Sequence, residues 1–100
     1  MWLIVMFDLP VKTKQERKTA RLFHKQLVVN GFEMIQYSVY GNYCEDRDEL
    51  KKKRKAIVRA MPLTGNIRLL TVPDFHYLRM EQFSHTRQIK TEKPEQILFF

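Results

Sequence analysis

The stretch that decides the fold is Trp2-Leu3-Ile4-Val5-Met6-Phe7-Asp8-Leu9-Pro10, an apolar run that stops abruptly at a carboxylate and turns at a proline. A strand with one face in water alternates polar and apolar residues, so a continuous run of branched and aromatic side chains reads as a strand covered on both faces. Asp8 then stands at its carboxyl end. A carboxylate emerging from a central strand needs a cation, a donor or water, and the rest of the chain is rich in cations.

Outward from that strand, Ala20, Phe23 and Leu27 recur at three- and four-residue steps between Thr13 and Asn30, as one face of a helix demands. Thr13 with Glu16 forms a capping box, and Asn30-Gly31 is a stop signal. From Phe32 to Tyr43 the sequence is rich in Phe, Met, Ile, Tyr and Val without a helical period, which predicts short strands joined by a tight connection near Gln36 to Ser38. A second helix is expected from Asp46 or Arg47 to Met61: Leu50, Ile57 and Met61 share a face, and Glu45, Asp46, Asp48 and Glu49 crowd its positive end. Pro62 and Gly65 end it, and Asn66 to Val72, bounded by Pro73, reads as another strand.

Strand, helix, strand, strand, helix, strand, joined by right-handed crossovers, gives an α+β ferredoxin-like sandwich with both helices on one face of an antiparallel sheet and the first and third strands in the middle. This core occupies residues 1–73. Residues 74–100 form a C-terminal arm: an aromatic but aperiodic stretch, a polar connector, and the apolar end Ile97-Leu98-Phe99-Phe100. Each large apolar side chain gains roughly 1.5–3 kcal/mol on burial, so that end is expected to add as a strand to a sheet edge, its own or a second copy's, rather than fray.

A chain of 100 residues supports one small core and leaves no room for two ordinary domains. With 18 Lys and Arg against 11 Asp and Glu, the formal charge of +7 favours polyanionic partners. The apolar opening is too short to span a bilayer and lacks the basic leader of a signal peptide, which argues against membrane insertion and secretion. Cys44 is the only cysteine, so an internal disulfide and a cysteine-based zinc cluster are excluded, and cytoplasm is the expected compartment.

Asp8 is the sharpest chemical candidate. A carboxylate is a hard ligand for magnesium or manganese, and an ion so held polarises a phosphodiester and acidifies a bound water. Taken alone, Asp at such a position more often caps a turn or the start of the next helix. One carboxylate is too few for a metal cage, but two copies meeting across a two-fold axis would place a pair of Asp8 side chains on one ion. The cations are organised: Lys14, Arg17, Lys18, Arg21 and Lys25 form a stripe on the first helix away from Phe23 and Leu27, and Lys51 to Lys55 wrap the second. A merely solvated face usually carries mixed signs, whereas acid is scarce on the first stripe, so it is expected to contact polyanion. The second run divides evenly between the two readings. His24, His76 and His85 lack metal-ligand spacing and read as surface or turn residues, while Tyr37, Tyr40 and Tyr43 read as packing residues rather than base-stacking ones.

The strand ending in Phe7-Asp8-Leu9-Pro10, the basic helix closing at Asn30-Gly31-Phe32, and Gln36-Tyr37-Ser38-Val39-Tyr40 together resemble the small CRISPR-associated endoribonuclease family, the smaller of the two core spacer-acquisition proteins, in its type II version. The likeness covers roughly the first seventy residues and departs mildly at Tyr40, where phenylalanine is frequent. It implies a homodimer with Asp8 of each subunit facing the two-fold axis and binding magnesium. It also implies metal-dependent cleavage of single-stranded RNA or double-stranded DNA, and a scaffold role in which the dimer supports protospacer DNA beside the CRISPR-associated integrase. The family's arginines and serine fall on Arg17, Arg21 and Ser38, with Ser38 expected to orient a phosphate or hold the neighbouring strand. Duplex DNA is expected on Lys12, Lys14, Arg17, Lys18 and Arg21, with catalysis and metal at Asp8. A free-standing RNA-cleaving toxin and a non-catalytic RNA-binding module are the competing readings.

Overall fold

The computed structural model describes residues 1–84. The expected docking of Ile97-Leu98-Phe99-Phe100 on a sheet edge lies outside the described residues. Along the described chain run β1 (Trp2–Asp8), α1 (Lys14–Val29), β2 (Glu33–Gln36), β3 (Val39–Tyr43), α2 (Arg47–Ala60), β4 (Asn66–Val72) and a single turn, α3 (Asp74–Tyr77). The sheet order is β2-β3-β1-β4, with every neighbouring pair antiparallel. This is the ferredoxin-like arrangement, with β1 and β3 central as the sequence predicts.

Local chemistry sets the helix bounds. The Thr13 side chain accepts from the Glu16 amide, and Glu16 Oε1 accepts from the amides of Thr13 and Lys12, both at 2.9 Å. Two orphan donors at the positive end of α1 are thereby satisfied. At the other end Gly31 adopts φ +90°, its amide donates to the Val28 carbonyl, and the Phe32 amide donates to that of Leu27. Phe32 and Leu27 both join the core, the apolar contact that accompanies this type of stop. α2 starts on Asp46, whose carboxylate accepts from the Glu49 amide at 2.9 Å.

The core lies between the helices and one face of the sheet, where Leu3 and Val5 of β1 meet Phe23, Leu27, Tyr40 and Ile57. Phe7 stands edge-on to Phe23 with ring centroids 5.2 Å apart. Cover on the opposite face is less complete than the sequence predicts: Ile4 is buried, but Trp2 and Met6 are only half-buried and Leu70 is exposed. What cover exists comes partly from α3, which the aperiodic sequence after Pro73 does not reveal. Tyr77 stacks on Trp2 at 3.9 Å between centroids, and the Met1 amino group lies 2.6 Å from Asp74 Oδ1. No helix among the described residues is long and apolar enough to cross a membrane.

Candidate functional site

β1 delivers Asp8 to one end of the sheet, where it is exposed and lies opposite Asn66 in the β1–β4 ladder. Residues directly opposite in an antiparallel pair project on the same side, so a carboxylate and a side-chain amide, both oxygen donors, stand next to each other. Asp8 is not the cap of α1, since Thr13 performs that task. The turn beyond it is fixed from two directions. Arg17 Nη1 donates to the carbonyls of Val11 at 3.1 Å and Lys12 at 2.9 Å, which folds the β1–α1 connection against the first turn of the helix. Gly65, at φ +88°, lies so close that a Cβ there would come within 2.8 Å of the Asp8 carbonyl oxygen.

Ser38 sits at the same end, in the turn between β2 and β3. It is the single described non-glycine residue with positive φ, at 63°. Its carbonyl accepts from the Phe7 amide at 3.0 Å, so the main chain of Ser38 extends the β1–β3 ladder to the residue before Asp8. The adjacent Tyr37 is 86 % exposed, whereas Tyr40 is 2 % exposed. The three tyrosines of this segment therefore have different environments: Tyr40 packs inside, Tyr43 is half-exposed beside Trp2, and Tyr37 stands in water.

Lys12, Lys14, Arg17, Lys18, Arg21 and Lys25 are all exposed. Among the described residues no carboxylate lies within ion-pair distance of any of them. The sole acid of α1, Glu16, is committed to the cap. The outer face of α1 is thus, among the described residues, an unneutralised cationic surface. In the second basic run, Lys51, Lys52, Arg54 and Lys55 are exposed, but Lys53 is partly buried and its Nζ donates to the Asn30 carbonyl at the end of α1. Lys53 is therefore a helix-end contact, which a run of like residues cannot reveal.

His24, expected to be a plain surface residue, is exposed yet its Nδ1 is hydrogen-bonded to the Tyr40 hydroxyl. Spacing hides this pair because its members lie on different elements. No group of three or more His, Cys, Asp or Glu side chains converges among the described residues, so one chain does not build a metal cage. One groove of about 580 Å³ lies between α1 and α2 and another of about 780 Å³ lies over the sheet beside Trp2, and neither is lined by Asp8 or the cationic stripe. The acidic end is an open surface, a shape suited to a polymer more than to an enclosed small molecule.

Known proteins resemble this chain in sequence and in fold. Residues 1–84 match the family described as CRISPR associated protein Cas2. The chain is 37 % identical over 98 residues to a CRISPR-associated endoribonuclease Cas2 of Flavobacterium psychrophilum, covering 98 % of this chain and 85 % of that one. It is likewise 37 % identical to a CRISPR-associated endoribonuclease Cas2 of Parvibaculum lavamentivorans, over the full length of both. The crystal structure of Streptococcus pyogenes Cas2 at pH 6.5 superposes with a TM-score of 0.64 over 84 % of this chain and all of that one, at 22 % identity, a likeness of fold. With the family matched across the whole described core and relatives similar from end to end, this chain belongs to the Cas2 family of CRISPR-associated proteins.

Proposed function

We propose that this chain is a dimeric subunit of the CRISPR adaptation machinery that holds double-stranded protospacer DNA together with the CRISPR-associated integrase, and that Asp8 serves a magnesium-dependent endonuclease centre. The observation that carries the reading is the cationic outer face of α1, along which Lys14, Arg17, Lys18 and Arg21 are exposed with no carboxylate paired to them among the described residues. Counterion release from phosphates bound along such a face supplies sequence-independent affinity, as a scaffold for arbitrary DNA fragments requires. The partly covered face of the sheet, with Trp2 and Met6 half-buried, supports pairing of two copies.

The donor set fits a hard divalent cation only when doubled. One chain offers the Asp8 carboxylate and the neighbouring Asn66 amide, and two chains would offer a pair of each. Magnesium or manganese held there would polarise a phosphodiester and acidify a bound water. The chain's own part is to fix the end of β1, through Gly65, the Ser38 carbonyl and the loop closed by Arg17, so that the two carboxylates meet at a set separation. The endoribonuclease name of the relatives supports cleavage of RNA as the second substrate class.

The test is a K14A/R17A/R21A variant and an Asp8→Ala variant measured separately. The triple variant is expected to lose duplex affinity, with the slope of log affinity against log salt reduced by about 3. Asp8→Ala is expected to keep duplex affinity and lose magnesium-dependent cleavage of RNA and DNA. Full affinity and an unchanged slope in the triple variant would remove the α1 face from the reading. Cleavage unchanged in Asp8→Ala would remove the nuclease centre.

A further inference from the structure

Tyr40 is almost wholly buried on β3, and its hydroxyl reaches the Nδ1 atom of an exposed histidine on α1, with the two rings at 75° and 5.4 Å between centroids. Burial, with a smaller contribution from Tyr37, raises the Tyr40 phenol above its ordinary value of 10.0, so it keeps its proton in neutral solution. If Nδ1 donated to the phenol oxygen in the neutral pair, the phenolic proton would be left in a buried place without an acceptor. The arrangement that satisfies both groups has the hydroxyl donating to Nδ1 and the ring proton on Nε2. The far corner of the ring, Nε2–H, is therefore a donor, and Tyr40 fixes its direction.

That donor belongs to the cationic surface. His24 follows Arg21 by three residues and Arg17 by seven, spacings that place all three on neighbouring turns of one helix face. Among the described residues no carboxylate pairs with this face. We propose that His24 is a phosphate-contacting residue of the α1 surface, donating from Nε2 to a nucleic-acid phosphate oxygen, and that Tyr40 is the positioning residue that holds its ring. The proposal rests on the nucleic-acid reading of α1 and adds to it a contact that net charge does not reveal.

The experiment is fluorescence anisotropy with a labelled DNA duplex on the full chain, for wild type, H24A, Y40F, the H24A/Y40F double variant and K14A/R17A/R21A, each checked for folding by a thermal melt. H24A and Y40F are each expected to weaken binding by about tenfold or more, the size of one hydrogen bond to a charged group. The double variant is expected to be no weaker than H24A alone, because both changes remove the same contact. A merely structural pair would lower the melting temperature of both variants and leave their affinities intact, which overturns the proposal. Loss in the triple variant with full affinity in H24A overturns the His24 role while the α1 reading stands; full affinity in both removes the two together. Loss in H24A with none in Y40F overturns the positioning role of Tyr40. Should Y40F not fold, long-range ¹H–¹⁵N spectra of the wild type decide: the Nε2–H tautomer in the free protein and a shift of Nε2 on adding duplex support the proposal, and the Nδ1–H tautomer or an unmoved Nε2 overturns it.

Discussion

Gly65 lies against Asp8: a Cβ built on it would fall 2.8 Å from the Asp8 carbonyl oxygen and 3.2 Å from the Leu9 α-carbon. Its φ of +88° is also one that side-chain-bearing residues resist. Gly65→Ala is therefore expected to cost about 1 kcal/mol or more, read as a melting temperature lower by roughly 4–8 °C. At the metal site proposed for Asp8, it should also weaken magnesium binding by pushing the end of β1 aside. Calorimetry and a magnesium titration check the two effects, and a variant unchanged in both would show that the contact does not position Asp8.

Asn66 stands across the ladder from Asp8. If its amide oxygen helps to hold the ion, Asn66→Ala lowers magnesium or manganese affinity roughly tenfold, a loss typical of supporting groups at metal sites. Duplex affinity in the absence of metal should not change. Isothermal titration with the metal alone, followed by anisotropy in a chelator, separates the two quantities.

Lys53 donates to the Asn30 carbonyl and so ties α2 to the end of α1. Lys53→Met is expected to destabilise the fold by about 1.5–3 kcal/mol, the range for a hydrogen bond to a charged group. The exposed neighbour Lys52, replaced in the same way, should alter stability by less than about 0.5 kcal/mol. Paired urea titrations of the two variants decide, and equal stabilities would place Lys53 with the solvated cations.

Stability is expected to fall in alkali. The buried Cys44 thiol is pushed above its ordinary value of 9.0, chiefly by burial and then by the Glu49 carboxylate, with Lys53 acting in the opposite sense. The Tyr40 phenol is raised above 10.0 by burial and then by Tyr37. Both are neutral acids that the folded chain keeps protonated after the unfolded chain has released them. Stability is thus fully present below the unfolded values and is lost as pH rises through them toward the folded ones. Urea titrations from about pH 8 to 11 should show the decline, and Cys44→Ala should remove its earlier part. A profile flat across that interval would contradict the assignment.

The legible parts of this fold are those decided within one turn or one strand. The capping box of Thr13 and Glu16, the stop at Gly31 and the apolar run of β1 each draw on neighbours in sequence, and alternation and helical period supply the strand order. The exposure of Asp8 and of the α1 cations follows from the same patterns. Contacts between elements were not legible: Tyr40 with His24, Lys53 with Asn30, Trp2 with Tyr77. Composition presents these as a surface histidine, one lysine among many and an aromatic without a period. What each side chain does depends on which strand or helix comes to lie over it, and that is settled only when the sheet and helices have packed.

The guanidinium of Arg17 is held by a single nitrogen, Nη1, on the two carbonyls of the β1–α1 connection. Among the described residues its other N–H groups have no partner, and the two bonds restrict the rotamers of the long side chain before any ligand arrives. If nucleic acid docks there as proposed, it would immobilise little that is not already held, so the entropic penalty of association would be smaller than at a free-swinging lysine of equal charge. Exchanging Arg17 for lysine would preserve the charge while releasing the Val11 and Lys12 carbonyls, and so show how much any duplex affinity at this position depends on rigidity.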